Sequence, residues 1–148
     1  MSTHELQAYR RFERNVVGIL ALMFIVSGLV KILGPAMLTQ TFADWGYPAG
    51  LAYLIGSFEI AGGVLLLGQR SCFYGAILLG LVMFGAFLTH VVHGESLQAV
   101  VPLFLMAVLF MLARLHGERV IVQMARLLRW YELDALDALD QREGSYQH

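Results

Sequence analysis

Three ionisable side chains stand inside stretches of sequence that are otherwise almost wholly apolar. Glu59 lies in the middle of 49–67, Lys31 near the end of 16–33 and His90 near the end of 72–92. Each of these stretches is long enough to cross a bilayer. A carboxylate at membrane depth is costly, so it normally has a cationic partner, a proton or a role. A carboxylate, an ammonium and an imidazole in one place can hydrogen-bond the oxygens of a small polar ligand and hold or relay a proton.

Spacing indicates where the three side chains point. At 3.6 residues per turn Ala52, Gly56, Glu59 and Gly63 share one helix face, with Gly62 at its flank. That face is small apart from the carboxylate, and small faces let membrane helices approach closely. Glu59 is therefore expected to face the helix bundle. Ser27, Gly28, Lys31 and Gly34 form a matching face on the first stretch, so Gly28, Gly56, Gly62 and Gly63 are the expected packing positions. Lys31 sits in a last helical turn, where a cation favours the negative end of the helix dipole. It has two readings, a directed role or a stem that carries the charge up to the headgroups. His90 shares a face with Cys72, Ala76, Met83 and Ala86, and it too has a plainer reading as a hydrogen-bonding residue at the water boundary.

Depth separates the three. At about 1.5 Å per residue Glu59 lies roughly 16 Å along its helix from Pro48, whereas Lys31 and His90 lie about 5 Å inside their helix ends. A direct bond from Lys31 to Glu59 is then marginal without tilt or a bridging water. The expectation is an outward-facing polar pocket lined by Lys31, Glu59, His90 and Ser27, and not a tight triad. His90, His93 and Glu95 also form an H-x-x-H-x-E series, a weak metal candidate. Two histidines and one acid are too few and too common to be specific, and no metal is assigned.

The elements that must position these residues are helices. Four stretches suffice to span, 16–33, 49–67, 72–92 and 99–115, and none alternates as an outer-membrane barrel strand would. The predicted fold is all-α, an integral membrane four-helix bundle with a cytoplasmic C-terminal amphipathic helix. Its predicted parts are a cytoplasmic segment 1–15, the bundle 16–115, an amphipathic interfacial helix 116–140 and a disordered tail 141–148. Arg10, Arg11, Arg14, Arg70, Arg114 and Arg119 flank one set of span ends, while the other set carries Asp44 and Glu95. By the positive-inside rule both termini are cytoplasmic. The polar start of the chain does not read as a cleavable signal, and the first span is expected to remain.

Between the first two spans, Leu38, Phe42 and Trp45 recur at i, i+4 and i+7, which suits a short interfacial helix with Pro35 in its first turn. Such a helix is either an anchor or a lid over the outward pocket, and Trp45 and Tyr47 belong at headgroup level. Beyond the fourth span Val120, Ile121, Met124, Leu127, Leu128 and Tyr131 repeat at helical spacing. Arginines precede residue 130, and Asp134, Asp137 and Asp140 follow it. The basic half suits an anionic membrane surface and the acidic half suits solvent or a protein partner.

Composition agrees with this architecture. The 148 residues are 58% hydrophobic and 14% charged, well below the quarter charged of a soluble domain. The net charge of −1 gives no reason to expect nucleic acid, and lipid is the expected surrounding. Cys72 is the single cysteine, which excludes an internal disulfide and a C-x-x-C redox pair. Electron chemistry would come from a bound cofactor or a partner. No phosphate-binding loop, nucleophile triad or haem-attachment pattern is present.

The order of the short motifs is more specific than any one of them. Ser27-Gly28-x-x-Lys31 closes the first span, and Gly46-x-Pro48 leads into the second. Glu59-x-x-Gly62-Gly63 lies within the second, Gly68-x-Arg70 follows it, and a histidine ends the third. This arrangement, over roughly 14–115, resembles the DoxX and DoxX-like family of small four-helix bacterial membrane proteins. The resemblance implies a multi-pass protein of the bacterial inner membrane. The family takes its name from a subunit associated with thiosulfate:quinone oxidoreductase, so the resemblance also implies a redox-linked setting with quinone as the candidate cofactor. Ser27, Lys31, Glu59, Gly62, Gly63 and His90 are carried over as matching motif positions, not as catalysts. The lone Cys72 departs from related thiol-redox membrane proteins.

Two functions follow as expectations. In one, the protein is the membrane subunit of a redox-linked assembly, with a redox protein partner or a second copy of itself. Its pocket takes a quinone head group. In the other it is a non-catalytic scaffold or assembly factor whose intramembrane charges lock the helices. A small transporter fits less well, because no discontinuous helix or internal repeat is evident.

Overall fold

The structure, a computed structural model, describes residues 3–34, 36–48 and 50–145. Five helices follow in order, α1 (Thr3–Leu33), α2 (Ala36–Asp44), α3 (Gly50–Leu67), α4 (Cys72–Val92) and α5 (Ser96–Ser145), and no strand occurs among the described residues. Four segments are long and apolar enough to cross a membrane, Arg11–Leu33, Gly50–Leu67, Cys72–Val92 and Ser96–Gly117. The chain is thus an all-α, multi-pass membrane protein whose surroundings are a lipid bilayer. Large apolar side chains such as Leu22, Leu81, Phe104 and Phe110 are exposed along these segments, as lipid-facing residues are.

Element boundaries differ from expectation at two places. α1 begins at Thr3, so the polar segment ahead of the first span is helical. Thr3 to Asn15 contains no glycine or proline, and nothing interrupts a helix nucleated in the span. α5 runs through Ser145, so helix includes the start of the tail expected to be disordered from 141, and 146–148 lie outside the described residues. The short helix expected between the first two spans is α2; Pro35, expected in its first turn, also lies outside them.

The chain divides into two compact units, Met1–Arg114 and Leu115–His148. In the second, the exposed apolar residues include Ile121, Val122, Leu128 and Trp130. In the first, α3 is the central helix and packs on both α1 and α4. Its glycines allow this. A Cβ on Gly28 would strike the Gly56 carbonyl oxygen, and one on Gly63 would lie 2.9 Å from the Ala21 carbonyl oxygen. Gly28 faces Gly56 while Ala21 faces Gly63, so α1 and α3 run antiparallel with backbones in contact. On the other side, a Cβ on Gly75 of α4 would lie 2.8 Å from the Gly62 carbonyl oxygen. The small-residue face expected on the second span is present, and Ala52, Gly56, Glu59, Gly62 and Gly63 are all buried.

The apolar core lies toward the turn that joins α3 to α4. Leu20, Ala21 and Phe24 of α1 meet Leu66 of α3, the buried Cys72 thiol, Ala76, Leu79 and Met83 of α4, and Leu109, Leu112 and Ala113 of α5. Lys31, at the end of α1, and His90, at the end of α4, lie toward the opposite end, on the side of α2.

Candidate functional site

The sequence-predicted site residues form two groups. In the first, the Lys31 ammonium lies 2.7 Å from Glu59 Oε2 and 3.0 Å from Oε1, and also donates to Ser27 Oγ at 2.8 Å. The direct bond that depth along the helices makes marginal is therefore formed. Side-chain direction accounts for it. Cα–Cβ bonds lean toward the N-terminus of their helix. In an antiparallel pair Lys31 leans toward the membrane centre and Glu59 leans toward the α2 end, so the two converge. The approach of the backbones at Gly28 and Gly56 shortens the remaining gap. The Glu59 side chain is only 3% exposed and that of Lys31 22%. An ammonium has three hydrogens, and three acceptors surround this one. The cluster is closed on itself.

The second group is built by two helix caps. α4 ends in a Schellman motif: the Glu95 N–H donates to the His90 carbonyl oxygen at 2.8 Å, and the Gly94 N–H donates to that of Val91 at 3.2 Å. Gly94 takes the left-handed φ of 73° that this turn requires. The motif places the side chains of His90 and Glu95 side by side, and His90 Nδ1 lies 2.7 Å from Glu95 Oε2. α2 ends in the same way. Tyr47 N–H donates to the Phe42 carbonyl and Gly46 N–H to that of Ala43, both at 2.9 Å, with Gly46 at φ 79°. The two caps meet. Trp45 lies edge-on to the His90 ring, with centroids 5.5 Å apart, and also touches His93 at 5.4 Å. Tyr47 Oη lies 3.2 Å from Thr89 Oγ1. Thr89 gives its own hydrogen to the Gly85 carbonyl, so Tyr47 is the donor.

Hydrogen-bond chemistry sets the tautomers here. A carboxylate can only accept, so His90 Nδ1 carries the hydrogen shared with Glu95. The Thr89 carbonyl likewise assigns the hydrogen of His93 to Nδ1, at 2.8 Å. Among the described residues no hydrogen bond engages His90 Nε2, which is the acceptor nitrogen when the ring is neutral. The weak metal candidates His90, His93 and Glu95 do not assemble into a metal-holding group. No set of three or more such side chains does among the described residues.

Trp45, Tyr47, Gly94 and the His90–Glu95 pair were not legible as one site from spacing. The signal lay in two glycines, Gly46 and Gly94, each following the last turn of a helix. That placement marks a left-handed cap in which the residue after the glycine returns to the helix.

Comparison with known proteins fits this geometry. The sequence profile of the DoxX-like family matches residues 16–112, about two thirds of the chain and all four spans in whole or in greater part. The chain belongs to the DoxX-like family. This DoxX-like protein is also 34% identical over 71 residues to a Bacillus subtilis (strain 168) protein named "Putative oxidoreductase CatD". The match takes in 48% of the chain and 53% of that relative, so the chain spans about half the length of the curated relative it matches. No solved structure matches.

Proposed function

We propose that this DoxX-like protein is the membrane subunit of a redox-linked assembly of the bacterial inner membrane, and that it holds a quinone-type head group at the α2 end of the bundle. The orientation has both termini and the helix after Gly117 on the cytoplasmic side, in keeping with the arginines. The α2 end then faces outward, and the pocket opens there. The observation that carries the reading is His90. Its ring is fixed on one side by Glu95 at 2.7 Å and on another by Trp45, and its remaining nitrogen has no partner among the described residues. An oriented imidazole beside indole and phenol rings suits a flat, oxygen-bearing head group. The oxidoreductase name of the Bacillus relative supports the redox setting. In this reading α2 is more than an anchor, since its cap contributes Trp45 and Tyr47 to the site.

A second reading has its own observation. All three hydrogens of the Lys31 ammonium are engaged inside the protein, which suits a clasp that locks α1 to α3 in a non-catalytic scaffold. The two readings separate experimentally. Protein purified in native-lipid discs is extracted and analysed by mass spectrometry, and titrated with a short-chain quinone in both its oxidised and its reduced form. Co-purifying quinone and saturable binding that weakens in His90→Phe support the head-group site. No quinone and no binding, together with strong Lys31–Glu59 coupling in stability, leaves the scaffold.

A further inference from the structure

We infer that the His90–Glu95 pair makes this site selective for the reduced, hydroxyl-bearing form of its ligand, a hydroquinone or related phenol, over the oxidised quinone. The inference rests on the head-group reading above and adds to it which oxidation state is held and which residue decides. The reason lies in hydrogen-bond polarity. Glu95 Oε2 lies 2.7 Å from His90 Nδ1 and, with the imidazole in its neutral form, accepts its only N–H hydrogen. Nε2 is then an acceptor, and an acceptor needs a donor opposite it. A hydroquinone offers two O–H groups, whereas a quinone offers only carbonyl oxygens, which face Nε2 lone pair to lone pair. A site that engages a hydroxyl discriminates against the analogue that lacks it, because the acceptor is left unpaired, and the His90 side chain is only 22% exposed.

The surroundings hold that polarity in place. The Schellman turn fixes Glu95 by its backbone as well as by its side chain, since the Glu95 N–H is bonded to the His90 carbonyl at 2.8 Å. The Trp45 ring restrains the imidazole edge-on, so the ring does not turn to offer Nδ1 outward without losing both contacts. The Tyr47 hydrogen is directed to Thr89 and not toward the imidazole. The Lys31 ammonium, a strong donor, is already engaged by Glu59 and Ser27. Glu95 is thus a positioning residue. It acts on the ligand through the tautomer of His90.

The test is a pair of titrations of the full-length protein in lipid discs, under argon, by isothermal calorimetry with duroquinol and with duroquinone. The wild type is expected to bind duroquinol at least ten-fold more tightly. Glu95→Lys presents a donor to Nδ1, moves the ring hydrogen to Nε2 and is expected to shift the preference toward duroquinone. His90→Phe is expected to bind both forms weakly and alike. Equal binding of the two forms by the wild type, or a preference that Glu95→Lys leaves unchanged, overturns the inference while the head-group reading stands. Binding of neither form overturns both. The wild-type comparison decides even if a variant fails to fold.

Discussion

Lys31 and Glu59, 28 positions apart in sequence, are joined by two short bonds in the one place where α1 and α3 bring their backbones together. The carboxylate is 3% exposed and has no water to fall back on. Removing one member of a buried pair strands the other, at a cost of about 3–5 kcal/mol. Lys31 keeps partial exposure, so the lower end of that range is expected for Glu59→Leu and the upper end for Lys31→Met, which strands the buried carboxylate. Replacing both at once leaves no stranded charge, and the double variant is expected to be more stable than either single one. Reversible unfolding in mixed detergent, arranged as a double-mutant cycle, measures this directly. Additive losses would show that the pair contributes nothing as a pair.

The glycines carry the same relationship at backbone level. Gly28→Ala places a methyl against the Gly56 carbonyl, which is backbone and yields little, so a loss of about 1–3 kcal/mol is expected with a weakened Lys31–Glu59 coupling. Gly80 and Gly85 are helical and have nothing within 4 Å of an added Cβ. Their alanine variants are expected to be neutral or slightly stabilising, by up to about 1 kcal/mol through helix propensity. If Gly28→Ala behaves like Gly80→Ala in the same unfolding assay, the close approach is not what holds the two helices.

These two cases mark how far the sequence alone could be read. Span number, the inward face of Glu59 and the packing role of Gly28, Gly56, Gly62 and Gly63 all follow from local periodicity and composition, because lipid imposes them residue by residue. The Lys31–Glu59 bond did not follow, since axial depth ignores the lean of Cβ atoms in antiparallel helices. His90 was placed with Lys31 and Glu59 on the ground that all three are ionisable. The contacts that hold it come from Glu95 and Trp45, partners supplied by loop geometry. Cap turns depend on one glycine each, and periodicity does not register them.

The α4 cap therefore merits its own test. Gly94 adopts φ 73°, where an L side chain is strained, so Gly94→Ala is expected to cost more than about 1 kcal/mol although its Cβ would meet nothing within 4 Å. The greater effect is expected at the histidine. With the turn displaced, Glu95 leaves His90 Nδ1 and the ring loses its fixed tautomer. Nitrogen-15 spectra of selectively labelled histidine are expected to change from one dominant Nδ1–H form at His90 to a mixture of tautomers in Gly94→Ala. An unaltered spectrum would mean that the cap does not position the carboxylate.

The outward placement of this cap depends on which way the bundle sits in the membrane. The arginines at 10, 11, 14 and 70 lie at the ends away from α2, and the positive-inside rule puts those ends in the cytoplasm. Single cysteines introduced in a Cys72→Ala background report the answer, because the buried native thiol is removed. Ser96→Cys stands just after the α4 cap and Gln69→Cys stands in the turn joining α3 to α4, and both positions are exposed. In right-side-out inner-membrane vesicles, a membrane-impermeant maleimide is expected to label Ser96→Cys at least ten-fold faster than Gln69→Cys, and inverted vesicles are expected to reverse the order. The opposite pattern places His90 and Trp45 on the cytoplasmic side, and any partner delivering a reduced ligand would then have to act from within the cell.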